Sequence, residues 1–157
     1  MNLKSLISKA AEDHEVREDI LASMVWQESG GNPFAIRYEP AFYRRYIKDK
    51  DRESLSGHVP SQIPTIETEK IMRSCSFGLM QLMGETLRWY TKTKTPYLTT
   101  YLDPTLNLDA GASFLAYLLK KSNQDYTEAL RLYNGSASYP PLIFDHVKKK
   151  TYLALYP

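Results

Sequence analysis

Glu28 is the residue in this chain whose type and position best suit acid chemistry. It continues the apolar stripe of Met24 and Val25 on a segment with helical spacing, and Ser29-Gly30-Gly31 follows at once. A carboxylic acid that donates a proton at neutral pH needs a raised pKa, which apolar neighbours such as Trp26 favour. The partial negative charge at a helix C-terminus acts in the same direction. Glu28 is therefore a candidate general acid, with a solvated glutamate at a helix end as the simpler alternative.

A second dense pattern, Ser76-Phe77-Gly78-Leu79-Met80-Gln81, lies about 50 residues further on. The glycine allows another group to approach the backbone closely. The Gln81 amide both donates and accepts hydrogen bonds, which suits sugar hydroxyls or an N-acetyl group. The Met80 side chain is flexible and apolar. Taken alone, the segment is more simply an ordinary glycine before a core helix.

A third pattern, Tyr133-Asn134-Gly135, is typical of a helix terminus with a left-handed cap. In a functional interpretation the Tyr133 hydroxyl orients the Glu28 carboxylate. Cleavage of a sugar polymer requires one acid, and two segments whose backbone and side-chain amide groups can contact the sugar would complete such a site.

Hydrophobic periodicity predicts the helices that must position these residues. Asp103-Pro104 opens one helical region, and Asp125 with Glu128 forms a capping box for another. Residues 48–64 are charged and then rich in Ser, Gly and Pro, which indicates a long exposed loop. No alternation typical of strands is present, so the predicted fold is all-α in a single domain over residues 1–157. The expected segments are about 2–12, 17–29, 65–73, 78–90 and 126–133, one helix from Pro40, and a last segment from Pro140-Pro141.

Composition excludes several classes of protein. Twenty Lys and Arg against 18 Asp and Glu give a net charge of +2, which is too balanced to indicate nucleic-acid binding. Cys75 is the single cysteine, so no disulfide framework exists and a buried structural thiol is expected. The three histidines lack metal-ligand spacing, so neither a metal nor a cofactor is expected.

The N-terminal residues lack the apolar run of a secretory signal peptide, because Lys9, Glu12 and Asp13 interrupt it. No stretch is long enough to span a membrane. We therefore expect synthesis in the cytoplasm, no stable membrane insertion, and a monomer.

Taken in order, Glu-Ser-x-x-Asn-Pro, Gly-Leu-Met-Gln-Leu-Met and Tyr-Asn-Gly resemble the soluble lytic transglycosylase catalytic domain. That family belongs to the lysozyme-like superfamily and is related to goose-type lysozyme. The resemblance runs from about Ile20 to Gly135, and residues 107–115 are similar to the family's helix before the final motif.

The resemblance implies a helical lysozyme-like fold with a groove for alternating N-acetylglucosamine and N-acetylmuramic acid. It implies that Glu28 is the single catalytic acid/base and that Tyr133 supports it in the catalytic machinery. The implied substrate-binding residues are Ser29, Ser76, Gly78, Met80, Gln81 and Asn134.

The chain departs from the family's pattern at three places. Gly84 replaces the usual proline after Leu-Met-Gln-Leu-Met, and Leu132 replaces the usual alanine before Tyr-Asn. The stretch between the first two motifs, which contains Arg37 to Phe42, is longer than usual.

The activity implied by the resemblance is cleavage of the β-1,4 bond between N-acetylmuramic acid and N-acetylglucosamine in peptidoglycan, leaving 1,6-anhydromuramyl ends. One alternative is a hydrolytic muramidase with Glu28 as acid and Glu39 as second carboxylate. Another is an inactive glycan-binding or phage tail structural module. The expected partner is the peptidoglycan glycan strand. The expected setting is a bacteriophage endolysin or virion-associated lysin acting on the cell wall.

Overall fold

The computed structural model describes residues 2–57, 59, 61–63, 65–93 and 95–156. His58, Pro60 and Pro64 of the predicted 48–64 loop lie outside the described residues. The chain forms two compact units, one of Met1–Gly31 with Leu108–Pro157 and the other of Asn32–Asn107.

Most regular structure in the described residues is α-helical, as the sequence predicts. Short turns of π-helix at Tyr43–Ile47 and of 3-10 helix at Leu98–Leu102 and Thr151–Leu155 complete the helical content. The α-helices are α1 (Leu3–Asp13), α2 (Glu18–Ser29), α3 (Pro40–Phe42), α4 (Ile66–Arg73), α5 (Gly84–Tyr90), α6 (Pro104–Lys121), α7 (Tyr126–Asn134) and α8 (Tyr139–Lys149).

Local capping sets several of these boundaries where the sequence places them. The Asn2 side chain accepts a hydrogen bond from the Ser5 amide at the start of α1, and Asp125 accepts one from Thr127 at the start of α7. Gly30 adopts a left-handed φ of +59° and ends α2. The Glu128 carboxylate pairs with Arg131 at 2.6 and 2.7 Å, so Asp125 provides the cap seen at this terminus.

The first unit is a helical packing around α2. Every residue from Ile20 to Val25 is buried. Helix α2 packs against α1, α8 and the 3-10 turn Thr151–Leu155, and α7 packs against α8. Helix α2 is thus packed from several sides.

The second unit contains a small sheet that the sequence analysis did not predict. Strands β1 (Ile36–Tyr38), β2 (Cys75–Phe77) and β3 (Leu82–Met83) pair antiparallel in the order β1-β2-β3. Ile36 pairs with Phe77, and Ser76 pairs with Met83. Strands of two or three residues are too short to show alternation of apolar and polar side chains, which is why the pattern gave no signal.

The predicted helix over 78–90 is wrong in its first half. Residues 78–81 form a turn, residues 82–83 form β3, and the helix begins only at Gly84. Gly78 and Gln81 have left-handed φ values of +69° and +45°, which a right-handed helix cannot contain.

Three buried charged residues, Glu69, Arg73 and Arg88, and the half-buried Glu85 form what we call the ionic cluster. Arg73 also donates to the Ser56 carbonyl oxygen at 2.5 Å, which anchors part of the long 48–64 stretch. Most described residues of that stretch are exposed as predicted, but Leu55 and Ile63 are buried. Across the described residues, no helix combines the length and apolarity needed to cross a membrane.

Candidate active site

Glu28 occupies the last turn of α2 and is half-buried. The Gly30 amide donates to the Trp26 carbonyl at 3.0 Å, which closes the helix one residue beyond Ser29. The Ser29 hydroxyl donates to the Val25 carbonyl at 3.2 Å and accepts from the Gly31 amide at 3.2 Å. Ser29 therefore holds the helix end on which the Glu28 backbone lies.

The charge of Glu28 contributes to the raised pKa of two tyrosines on other helices of the first unit. Burial, followed by the Glu28 carboxylate, raises the pKa of the Tyr133 hydroxyl well above its ordinary value. The Tyr133 ring packs against Phe114 with 5.7 Å between ring centroids. The structure thus brings Glu28 and Tyr133, both predicted from the sequence, into one electrostatic environment.

Tyr139 is the second of these tyrosines, and the sequence analysis missed it. Its pKa is raised well above the ordinary value by burial, then by the charge of Glu28, by Tyr133, and by a hydrogen-bonding interaction with Glu28. Tyr139 is the first residue of α8, one position before the predicted start at Pro140. The available signal was the spacing of Tyr139, Ile143 and His146, which puts all three on one helix face.

The same face of α8 also forms a hydrogen bond to Gln27, the residue before Glu28 on α2. His146 Nε2 lies 2.9 Å from the Gln27 side-chain oxygen, and His146 Nδ1 lies 2.7 Å from the Thr151 hydroxyl. This chain of hydrogen bonds ties the end of α2 to α8. Asn134 is the exposed last residue of α7, followed by Gly135 at φ +82°.

The predicted glycan-contacting segment of the second unit is a tight turn with its own hydrogen bonds. The Ser76 hydroxyl donates to Gln81 Oε1 at 2.8 Å. Gln81 Nε2 donates to the carbonyl oxygens of Ala35 at 3.1 Å and Gly78 at 2.9 Å. Because a glutamine amide has two donor hydrogens, both are already used inside this unit.

Asn107 locks the rest of that turn. Its Oδ1 accepts from the Met80 amide at 2.8 Å, and its Nδ2 donates to the carbonyl oxygens of Phe77 and Tyr101, each at 2.9 Å. A Cβ added at Gly78 would lie 2.6 Å from Asn107 Nδ2, so only glycine fits there. Met80 and Ser76 are buried. The turn is thus a rigid feature built around backbone groups.

Glu39, the predicted second carboxylate, belongs to the second unit and precedes the first residue of α3. Its Oε1 accepts from Arg37 Nε at 2.5 Å, and its backbone amide donates to the Ser74 carbonyl at 2.8 Å. Its charge and, more strongly, burial raise the pKa of the Cys75 thiol. Cys75 is buried, as expected for a structural thiol. In the part of the chain that the structure describes, no three His, Cys, Asp or Glu side chains are grouped to hold a metal.

The first unit of this mostly helical fold thus places the half-buried Glu28 beside the half-buried Tyr133 and the buried Tyr139. A family model described as the Transglycosylase SLT domain matches residues 5–139, and the chain belongs to this family. An endolysin of Enterobacteria phage PRD1 is 26% identical over 140 residues, covering 74% of this chain and 85% of the relative. No solved structure matches the chain significantly. Membership of this family supports a transglycosylase that degrades peptidoglycan.

Proposed function

We propose that this protein cleaves the β-1,4 bond between N-acetylmuramic acid and N-acetylglucosamine, with Glu28 as its single acid and base. The observation that carries the proposal is the half-buried Glu28 carboxylate beside the hydroxyl groups of Tyr133 on α7 and Tyr139 on α8, whose pKa values are raised by burial and then by the charge of Glu28. A carboxyl group held beside these two phenols at a helix C-terminus is placed to deliver a proton rather than to remain a solvated anion.

The proposed reaction begins with proton transfer from Glu28 to the glycosidic oxygen. The bond from that oxygen to C1 of muramic acid breaks, and positive charge develops on the sugar. Glu28, now a carboxylate, accepts the proton of the C6 hydroxyl as that oxygen bonds to C1. The product is a 1,6-anhydromuramyl end, no water is consumed, and Glu28 regains its proton. Tyr133 is proposed to orient the carboxylate through both steps.

Ser29, Asn134, Ser76, Gly78, Met80 and Gln81 remain proposed substrate contacts, on the strength of the family resemblance. The internal bonds of Ser76 and Gln81 favour a turn that offers backbone groups to a sugar, because both Gln81 donor hydrogens are occupied. Ser29 is proposed to act mainly by fixing the helix end that carries Glu28.

The hydrolytic alternative requires a second carboxylate to activate water or to form an adduct. Glu39 was the candidate, and its Oε1 is held by Arg37 at 2.5 Å. Such a pairing favours a structural ion pair over a base that must bind and release a proton. We therefore prefer transglycosylation. In this proposal the protein acts on the cell wall as a bacteriophage endolysin. Its relative from Enterobacteria phage PRD1 is called an endolysin.

Product analysis of digested peptidoglycan tests this proposal. Muropeptides released by the parent protein should end in muramyl residues lighter by one water than reducing ends. Glu28→Gln should lose activity by about 100-fold or more, because general acid–base catalysis contributes factors of this size. Glu18→Gln is the matched control, because Glu18 is exposed at the opposite end of the same helix.

Three results would contradict the proposal. Reducing muramyl ends would indicate hydrolysis. A parent protein that binds purified peptidoglycan without releasing muropeptides would indicate a binding module. A Glu28→Gln variant as active as the Glu18→Gln variant would remove Glu28 from the chemistry.

A further inference from the structure

We propose that Tyr139 is a positioning residue that donates a hydrogen bond from its phenol to the ionised Glu28 carboxylate. This inference rests on the proposed function, in which Glu28 alternates between acid and base. It adds a second phenol, from a different helix, to the support that the sequence pattern assigns to Tyr133.

The first observation is an unpartnered polar atom. Tyr139 is 4% exposed, and within the described residues its hydroxyl oxygen is buried without a hydrogen bond of ordinary geometry. Buried hydroxyl groups in folded proteins almost always have a partner, so an exception needs an explanation. A phenylalanine at this position would fill the same space without leaving a hydroxyl unpaired.

The second observation is the direction in which that hydroxyl faces. Helix α8 packs against α2, and His146 on the same face of α8 bonds to Gln27, the residue before Glu28. The charge of Glu28 and a hydrogen-bonding interaction with it contribute to the raised pKa of Tyr139. The phenol is therefore next to the carboxylate but outside the geometry of an ordinary hydrogen bond. Catalytic hydrogen bonds are often long in the free enzyme and shorten when substrate binds.

Within the part of the chain that the structure describes, titratable groups on α7 and α8 lie near Glu28. Tyr133 on α7 and Tyr139 on α8 both respond to its charge, and His146 on α8 contacts the neighbouring Gln27. Burial, and then the charge of Glu18 rather than that of Glu28, raises the pKa of Tyr156 in the same unit to about 12. His146 and its bond to Gln27 are unchanged by every substitution below.

In the proposed reaction, the Tyr139 phenol stabilises the Glu28 carboxylate between the two proton transfers. After Glu28 has donated its proton, the carboxylate must stay in place and ionised until it accepts the proton of the C6 hydroxyl. A hydrogen bond to the ionised form favours that form. The phenol keeps its own proton throughout, because its pKa lies well above the ordinary tyrosine value.

Tyr139→Phe separates this role from a structural one. We expect kcat to fall by about tenfold or more, the effect of losing one hydrogen bond to a charged group, with little change in KM. The pH at which activity falls on the basic side should rise, because loss of the donor keeps more of Glu28 protonated at a given pH. The Tm should stay equal or rise, because the substitution removes an unsatisfied buried hydroxyl.

Tyr126→Phe is the matched control in the same unit. The Tyr126 hydroxyl accepts a hydrogen bond from the Arg17 amide at 2.8 Å, so its removal should lower the Tm and leave kcat and the pH profile unchanged. The two variants make the same chemical change and are expected to give opposite signatures.

The inference is overturned if Tyr139→Phe has the kcat and pH profile of the parent, or if it loses activity only in step with a lower Tm. Failure of the proposed function appears elsewhere, as an active Glu28→Gln variant or as products without anhydro ends. An inactive Glu28→Gln variant beside a fully active Tyr139→Phe variant would reject the role of Tyr139 alone.

Discussion

Replacement of Glu69 by alanine should strongly destabilise the second unit. The Glu69 side chain is 2% exposed and accepts hydrogen bonds from Arg73 Nε at 2.8 Å and from Arg88 Nε and Nη2 at 2.7 and 2.9 Å. Both guanidinium groups are fully buried. Because the alanine leaves these cations in place, their desolvation is no longer offset by the carboxylate.

The magnitude follows from what each arginine retains. Arg73 keeps the Glu85 carboxylate at 2.8 Å and the Ser56 carbonyl at 2.5 Å. Arg88 keeps the Thr95 carbonyl at 2.6 Å but loses the Glu69 carboxylate, with which its guanidinium group is paired. Breaking one buried ion pair costs about 3–5 kcal/mol, and we expect Glu69→Ala to lower the free energy of unfolding by at least about 3 kcal/mol.

Tryptophan fluorescence during urea titration can measure this loss in the second unit. Trp89 lies in the second unit and Trp26 in the first, so a Trp26→Phe background leaves Trp89 as the only tryptophan. Glu67→Ala is the matched control, because Glu67 lies on the same helix, is 61% exposed and pairs with Lys70 at 3.0 Å. We expect Glu67→Ala to cost about 1 kcal/mol or less, because the Glu67 carboxylate is exposed to water and the buried Lys70 Nζ keeps the Lys48 carbonyl at 2.8 Å. A Glu69→Ala variant within about 1 kcal/mol of the Glu67→Ala variant would refute the reasoning.

Two further predictions concern glycine positions and alkaline pH. Gly78→Ala should lower the free energy of unfolding by about 2–4 kcal/mol more than Gly30→Ala. Both glycines have positive φ, but a new Cβ at position 78 would lie 2.6 Å from Asn107 Nδ2, while a new Cβ at position 30 would have no neighbour within 4 Å. Thermal unfolding of both variants measures the difference. The pKa values of Tyr133 and Tyr139 are raised in the folded protein, so their contribution to stability is present below the unfolded value near 10 and is lost as pH rises above it. The free energy of unfolding should fall by up to about 1.4 kcal/mol per tyrosine for each pH unit above 10, and a Tyr133→Phe/Tyr139→Phe double variant should show a flatter curve between pH 9 and 11.

The helices were predictable because their signals are local. Apolar spacing and caps such as Asn2, Gly30 and Asp125 depend on residues within a few positions of each other. The sheet was not predictable in this way, since β1 and β2 are separated by more than 30 residues of sequence. Their pairing is fixed by contacts between distant segments, such as the Gly78 amide donating to the Ala35 carbonyl at 2.8 Å.

The candidate site shows the same division. Helix spacing and the family resemblance single out Glu28 and Tyr133, whose catalytic roles stay predictions, and the structure places both residues in the first unit. Tyr139 precedes Pro140-Pro141, and its burial against α2 depends on how α8 packs, which the sequence pattern does not specify. The internal bonds of Gln81 were likewise hidden, because they require the left-handed turn at Gly78.

The long stretch between the first two motifs has a structural consequence for Gly84. Helix α4 holds that stretch at two points, because Lys70 Nζ donates to the Lys48 carbonyl at 2.8 Å and Arg73 donates to the Ser56 carbonyl at 2.5 Å. The end of α4 then passes so close to the start of α5 that a Cβ at Gly84 would meet the Met72 carbonyl oxygen and lie 2.8 Å from Arg73 Cα. A proline carries that Cβ as well as its ring. Because the helix that anchors the long stretch occupies this space, the family's usual proline cannot stand at position 84 and glycine does.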